Sequence, residues 1–165
     1  MERRMTKDQL IESARQLGAA TLPATADYAA RREAMAAELS RRMLARPDID
    51  RLIGPDNREM LENNSRNMFR FMGSLLRSFD PVVLAETALW VFRAYRSHGF
   101  QISYWPANLD TAVQILREQL SAASFDSVYP FFEWLIVHNP AFVELSDAAL
   151  EKEPTAMQNR VPEHG

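Results

Sequence analysis

Apolar residues recur along this chain at intervals of three and four, the spacing of one helix face, and alternation at two residues is almost absent. Thr6 with Gln9 three residues on fits a capping box. Leu10, Ile11, Ala14 and Leu17 then form one face, and Gly18 is a natural stop. After a loop containing Pro23, a second helix is predicted over 27–45, with Tyr28, Met35, Ala36, Leu39 and Met43 inward. Pro47 and the pair Gly54-Pro55 bracket an irregular piece, and Asp56 with Glu59 starts a third long helix. Its stripe runs Leu61, Asn64, Met68, Met72, Leu75 and Phe79, reinforced by Phe69.

Asp80-Pro81 is a sharp helix start, because aspartate caps and proline in the first turn wastes no donor. The helix predicted over 81–97 is apolar nearly all round, so it is expected to be central or covered by a partner. Pro106 opens a further helix with Leu109, Val113, Leu116 and Leu120 in one strip. Phe125, Val128, Phe132 and Leu135 mark the last, which Pro130 bends or begins. Beyond residue 150 the chain is polar and carries Pro154 and Pro162. The expectation is one all-α domain over 1–150, with about six main helices, and a frayed tail over 151–165.

The stretch Tyr95-Arg96-Ser97-His98-Gly99-Phe100-Gln101-Ile102-Ser103-Tyr104-Trp105-Pro106 joins the apolar helix to the next amphipathic one. Its order resembles the junction before the last two helices of globin-like sensor domains, where a proximal histidine, three residues, a glycine and a later aromatic follow one another. Gly99 and Tyr104 match the glycine and the aromatic, and Tyr95 stands in the histidine's place. Tyr28 falls where such sensors carry a distal tyrosine. Residues 36–59 contain no aromatic to wedge against a haem. These departures resemble the non-haem globin-like input domains of bacterial stress regulators. That resemblance implies a globin-like fold, a sensory role without haem, and a homodimer through the last two helices.

Composition narrows the alternatives. The 165 residues include no cysteine, which removes disulfides, thiolate metal sites and cysteine nucleophiles. A net charge of −3 argues against unspecific nucleic-acid binding, and no turn with a recognition helix follows the first helix. Arg31, Arg32, Arg41 and Arg42 are interleaved with Glu33 and Glu38, which reads as a solvated, salt-bridged face. No apolar stretch approaches the roughly 18 residues of a membrane span, and no signal peptide is visible, so a cytoplasmic location is expected. Phosphate loops, nucleophile elbows and spaced carboxylate motifs are missing, so no catalytic residue is assigned.

Candidate chemistry is correspondingly spare. His98, His138 and His164 lack metal-ligand spacing, and His98 and His138 both stand at helix ends, where capping explains them. No metal site is expected. Tyr95 could ligate ferric haem as tyrosine does in catalase, although a core role fits it as well. A ligand pocket is expected near Tyr28, Phe69, Trp90, Tyr95, His98 and Trp105, suited to a small apolar molecule or serving a partner protein. The alternative is a haem-binding gas or redox sensor. Ile115 and Phe131 lie beyond the two apolar strips of the last helices, so they are assigned to the dimer interface.

Overall fold

The computed structural model describes residues 4–152. Among the described residues there are eight α-helices and no strand: α1 (Lys7–Arg15), α2 (Leu22–Leu44), α3 (Ile49–Ile53), α4 (Arg58–Arg77), α5 (Pro81–Ser97), α6 (Tyr104–Gln119), α7 (Ala122–Val137) and α8 (Asn139–Lys152). The all-α expectation holds, with two helices more than the pattern predicts. The short α3 fills the irregular piece between Pro47 and Gly54, and α8 follows His138 almost without a break. The tail expected over 151–165 starts inside α8 and from residue 153 lies outside the described residues.

The strongest start signals are realised atom by atom. Thr6 Oγ1 accepts from the Gln9 backbone N–H at 3.1 Å, and Gln9 Oε1 accepts from the Thr6 N–H at 2.9 Å. Asp80 Oδ1 accepts from the N–H groups of Val82 and Val83, satisfying two of the donors that a helix start leaves unpaired. Two starts differ from expectation. Helix α2 begins at Leu22 rather than 27, because the Thr21 hydroxyl caps Ala24 and Pro23 sits in the first turn, where it costs no bond. Asp56 does not cap α4: it sits at φ 63°, and Asn57 occupies the cap position without a side-chain cap bond.

Asn57 has another use. Its Nδ2 donates to the Ile53 carbonyl at 2.7 Å and to the His98 carbonyl at 2.8 Å, tying the end of α3 to the end of α5. Gln101 N–H reinforces the join by donating to the Leu52 carbonyl at 2.8 Å. The chain leaves α5 through Gly99 at φ +106°, a left-handed value suited to glycine. Phe100 N–H reaches back to the Tyr95 carbonyl and Gly99 N–H to that of Arg96, the paired bonds of a Schellman ending. The hydrophobic contact that accompanies such an ending is present, with the Phe100 ring edge-on to Tyr95 at 5.0 Å. Gly54, at φ +81°, lies against this corner, and a Cβ there would stand 3.2 Å from the Gly99 carbonyl oxygen.

Helix α2 is the central element, packed against α4, α6 and α7, while α6 and α7 also pack on each other. Tyr28, on α2, is fully buried and donates its hydroxyl to the Phe69 carbonyl at 2.7 Å, with the two rings stacked at 6.0 Å. Gly73 permits this closeness: a Cβ there would lie 3.1 Å from the Tyr28 ring. At the surface, Arg42 of α2 joins Glu38 on its own helix to Glu118 on α6.

Helix α5 is peripheral rather than central. It packs against α1 and α8, buries Leu84, Ala85, Leu89 and Phe92, and leaves Val83 and Trp90 exposed. The dimer assignment is also corrected. Ile115 is 0% and Phe131 1% exposed, so neither can meet a second subunit without unpacking the core. Because α6 and α7 are covered by α2 and by each other, Ile115 and Phe131 still face protein although they lie outside the two main strips. Phe131 in particular takes the edge of Phe79 at 5.6 Å.

Candidate functional site

The apolar surplus of α5 has a different destination. A cavity of about 340 Å³ lies between α4 and α5, floored by α6, α7 and α8. Helix α4 contributes Asn64, Met68 and Met72, and α5 contributes Ala88, Val91 and Tyr95. Trp105 and Leu109 of α6, Leu135 of α7 and Asn139 and Phe142 of α8 close the far side. Trp90, 65% exposed, stands at the rim with the exposed Asn67. The cavity is at the small end of ligand pockets, which span about 300–1,000 Å³, and no ionised side chain lines it.

The aromatic wall is a chain of edge-on contacts. Tyr95 meets Trp105 at 5.8 Å, Trp105 meets Tyr104 at 5.1 Å, and Phe92 leans toward both Trp105 and Phe142. Edge-to-face rings hold one another in orientation as well as burying area, which gives the cavity a fixed wall. Burial pushes the Tyr95 phenol up from its ordinary value, so the hydroxyl stays neutral.

Of the six residues expected at a pocket, the cavity brings together Trp90, Tyr95 and Trp105. Tyr28 and Phe69 belong instead to the core, in one cluster with Phe132 on the far side of α4. His98 is exposed at the end of α5, and it is its carbonyl, held by Asn57, that has the structural role. His138 likewise ends α7, with Nδ1 2.8 Å from the Trp134 carbonyl.

The polar members of the wall were not singled out in the sequence. Asn64 is 2% exposed and its Nδ2 has no hydrogen-bond partner; Asn139 Oδ1 is likewise buried and unpaired. Next to the cavity, Tyr104 is fully buried and accepts a hydrogen bond at 3.1 Å from Asn108 Nδ2, while Asn108 Oδ1 is unpaired. Burial raises the Tyr104 phenol far above its ordinary value, and the nearby Asn64 and Asn108 amides oppose that rise. A signal for Asn64 does exist in the sequence. It occupies the apolar stripe of α4 between Leu61 and Met68, where a polar residue calls for a partner.

Among the described residues, no group of three or more His, Cys, Asp or Glu side chains stands together as a metal site would require. No helix among them is long and apolar enough to cross a membrane. No protein family, curated protein or solved structure matches the chain.

Proposed function

We propose that this chain is a non-enzymatic, globin-like regulatory domain that holds a small apolar ligand, without haem, between α4 and α5. The observation that carries the reading is the cavity itself: an aromatic and aliphatic hollow set between two helices that would otherwise be expected to pack. Filling it stabilises whichever arrangement of α5 fits the ligand, and α5 in turn packs on α1 and α8. Differential affinity of a ligand for two arrangements of a helix is sufficient for signalling. The Tyr95–Gly99–Tyr104 order supports the globin-like part of the reading, since it lies at the end of the cavity-lining helix.

Haem fits these residues poorly. No imidazole lines the cavity, and no lysine or arginine does so to meet the propionates. The phenol of Tyr95 is pushed up by burial, away from the phenolate that ligates ferric iron. The test is an absorption spectrum of protein produced with haem supplied, followed by native mass spectrometry. A colourless protein carrying a small adduct is the expected result. A Soret band that disappears in Tyr95→Phe would replace this reading with a haem sensor, and an unliganded protein unresponsive to any apolar compound would remove the ligand.

A further inference from the structure

Helix α5 is apolar nearly all round yet peripheral, and it carries a second strip turned to the outside. Val83, Thr87, Trp90, Ala94 and Ser97 are spaced by four, three, four and three residues, the repeat of a helix-to-helix seam. Val83 is 43% and Trp90 65% exposed, Ser97 is exposed, and Thr87 and Ala94 are half-buried. None of the five is charged. Tryptophan is among the residues that most often anchor an interface, and here it stands between the smaller Thr87 and Ala94, which leave room for a facing knob. On the hollow's other rim, α4 presents Asn67 and Phe71, also uncharged.

The charges beside the strip say what covers it. Glu86 and Arg93 are both exposed and lie seven residues apart, on the flank of α5 opposite Val91. One precedes Trp90 by four residues and the other follows it by three. A twofold axis at Trp90 runs two α5 helices antiparallel. It sets Glu86 of each copy against Arg93 of the other, because equivalent flanks face one another in an antiparallel pair. A parallel pair gains nothing from this pattern. Glu86 remains free to take part, since its contact with Lys7 of α1 is an exposed pair.

We infer that the outer strip of α5 docks a second copy of this chain, antiparallel about Trp90, to form a twofold dimer. The inference holds whether or not the hollow binds a ligand, and it replaces α6 and α7 as the place of self-association. At 1.5 Å per residue α5 is about 25 Å long, so with the rim of α4 the face offers about 500 Å² per copy. A standard interface has about 800 Å² per partner, so the dimer is a weak and reversible one.

Sedimentation equilibrium of the full chain from about 1 to 500 µM, the range of a weak interface, tests the inference. The mass is expected to rise toward twice that of the chain. Trp90→Glu should weaken association about thirtyfold, the loss of an interface anchor. Val83→Glu makes the same comparison should Trp90→Glu fail to fold by circular dichroism. Leu22→Glu, at an exposed apolar position on α2, should leave association unchanged. Glu86→Arg or Arg93→Glu alone should each weaken the dimer about fivefold, and the two together should restore it. A monomer throughout the range overturns the inference and leaves the strip to a different partner. A dimer indifferent to Trp90→Glu and Val83→Glu, or a double charge reversal that restores nothing, overturns it as well.

Discussion

Asn64→Leu should make the protein more stable. Asn64 is 2% exposed and its Nδ2 has no partner at full hydrogen-bond geometry, so folding strips water from a donor and returns only a weak interaction with the Tyr104 phenol. Such an orphan costs about 1–3 kcal/mol. Leucine branches at the same carbon and is close in shape, so the stripe of Leu61, Met68 and Met72 receives an apolar neighbour without a void. Against this stands the loss of an amide dipole beside the buried Tyr104 phenol, which keeps its bond from Asn108. The net expectation is a gain of about 1–2 kcal/mol. For a chain of this length that raises Tm by about 2–8 °C. Urea unfolding is the assay, with an unchanged m-value as the sign that only stability has moved. A loss of stability by 1 kcal/mol or more, about the worth of one hydrogen bond, would refute the reasoning, because it would mean that Nδ2 is paired in the folded protein.

Other expectations follow from the same contacts. Tyr28→Phe removes the buried bond to the Phe69 carbonyl and should cost about 1 kcal/mol by denaturant titration; an unchanged midpoint would mean that this bond carries no net stability. Leu89→Asp buries an uncompensated carboxylate at a 6% exposed position of α5 and should cost several kcal/mol; near-normal melting would show that α5 tolerates water on its inner side. Hydrogen bonds from Arg41 and Arg42 hold the Glu38 carboxyl down to about 2, below its ordinary 4.5. Its folded pKa is the depressed one, so its stabilising contribution is complete above pH 4.5 and fades as pH falls toward 2. Glu38→Gln should therefore flatten the acid side of the stability profile, and an unaltered acid limb would show that these exposed pairs carry little.

The parts of the fold legible in the sequence are those written in local chemistry. Thr6 with Gln9, Asp80 with Pro81 and the exit through Gly99 each act within a few residues, and each is where the pattern places it. Misreadings arise where a local cue competes with a distant partner. Asn57 serves carbonyls of Ile53 and His98 rather than its own helix, and no spacing rule announces that. Helix α3 is too short for periodicity to register, and α8 starts so soon after α7 that the two share one polar break at His138 and Asn139.

The site shows the same division. An aromatic-rich α5 was visible, but whether Trp90 and Tyr95 face a neighbour or a hollow depends on how far α4 stands from α5. That separation is set by α2 on one side and by α1 and α8 on the other. Ile115 and Phe131 were misplaced for the same reason: an apolar residue outside a strip reads as surface until a second covering helix is known.

The corner formed by Asn57, Gly54 and Gly99 has a mechanical meaning. It pins the C-terminal end of α5 through two side-chain hydrogen bonds and a backbone approach that only glycine allows. Along residues 87–95, α5 borders empty volume on one flank, and at the surface its Glu86 is joined to α1 by the exposed pair with Lys7. A rod clamped at one end and unsupported along one side turns about its clamp. An occupant that pushes α5 outward would therefore press on α1, the helix packed against it, more than on the clamp at Gly99.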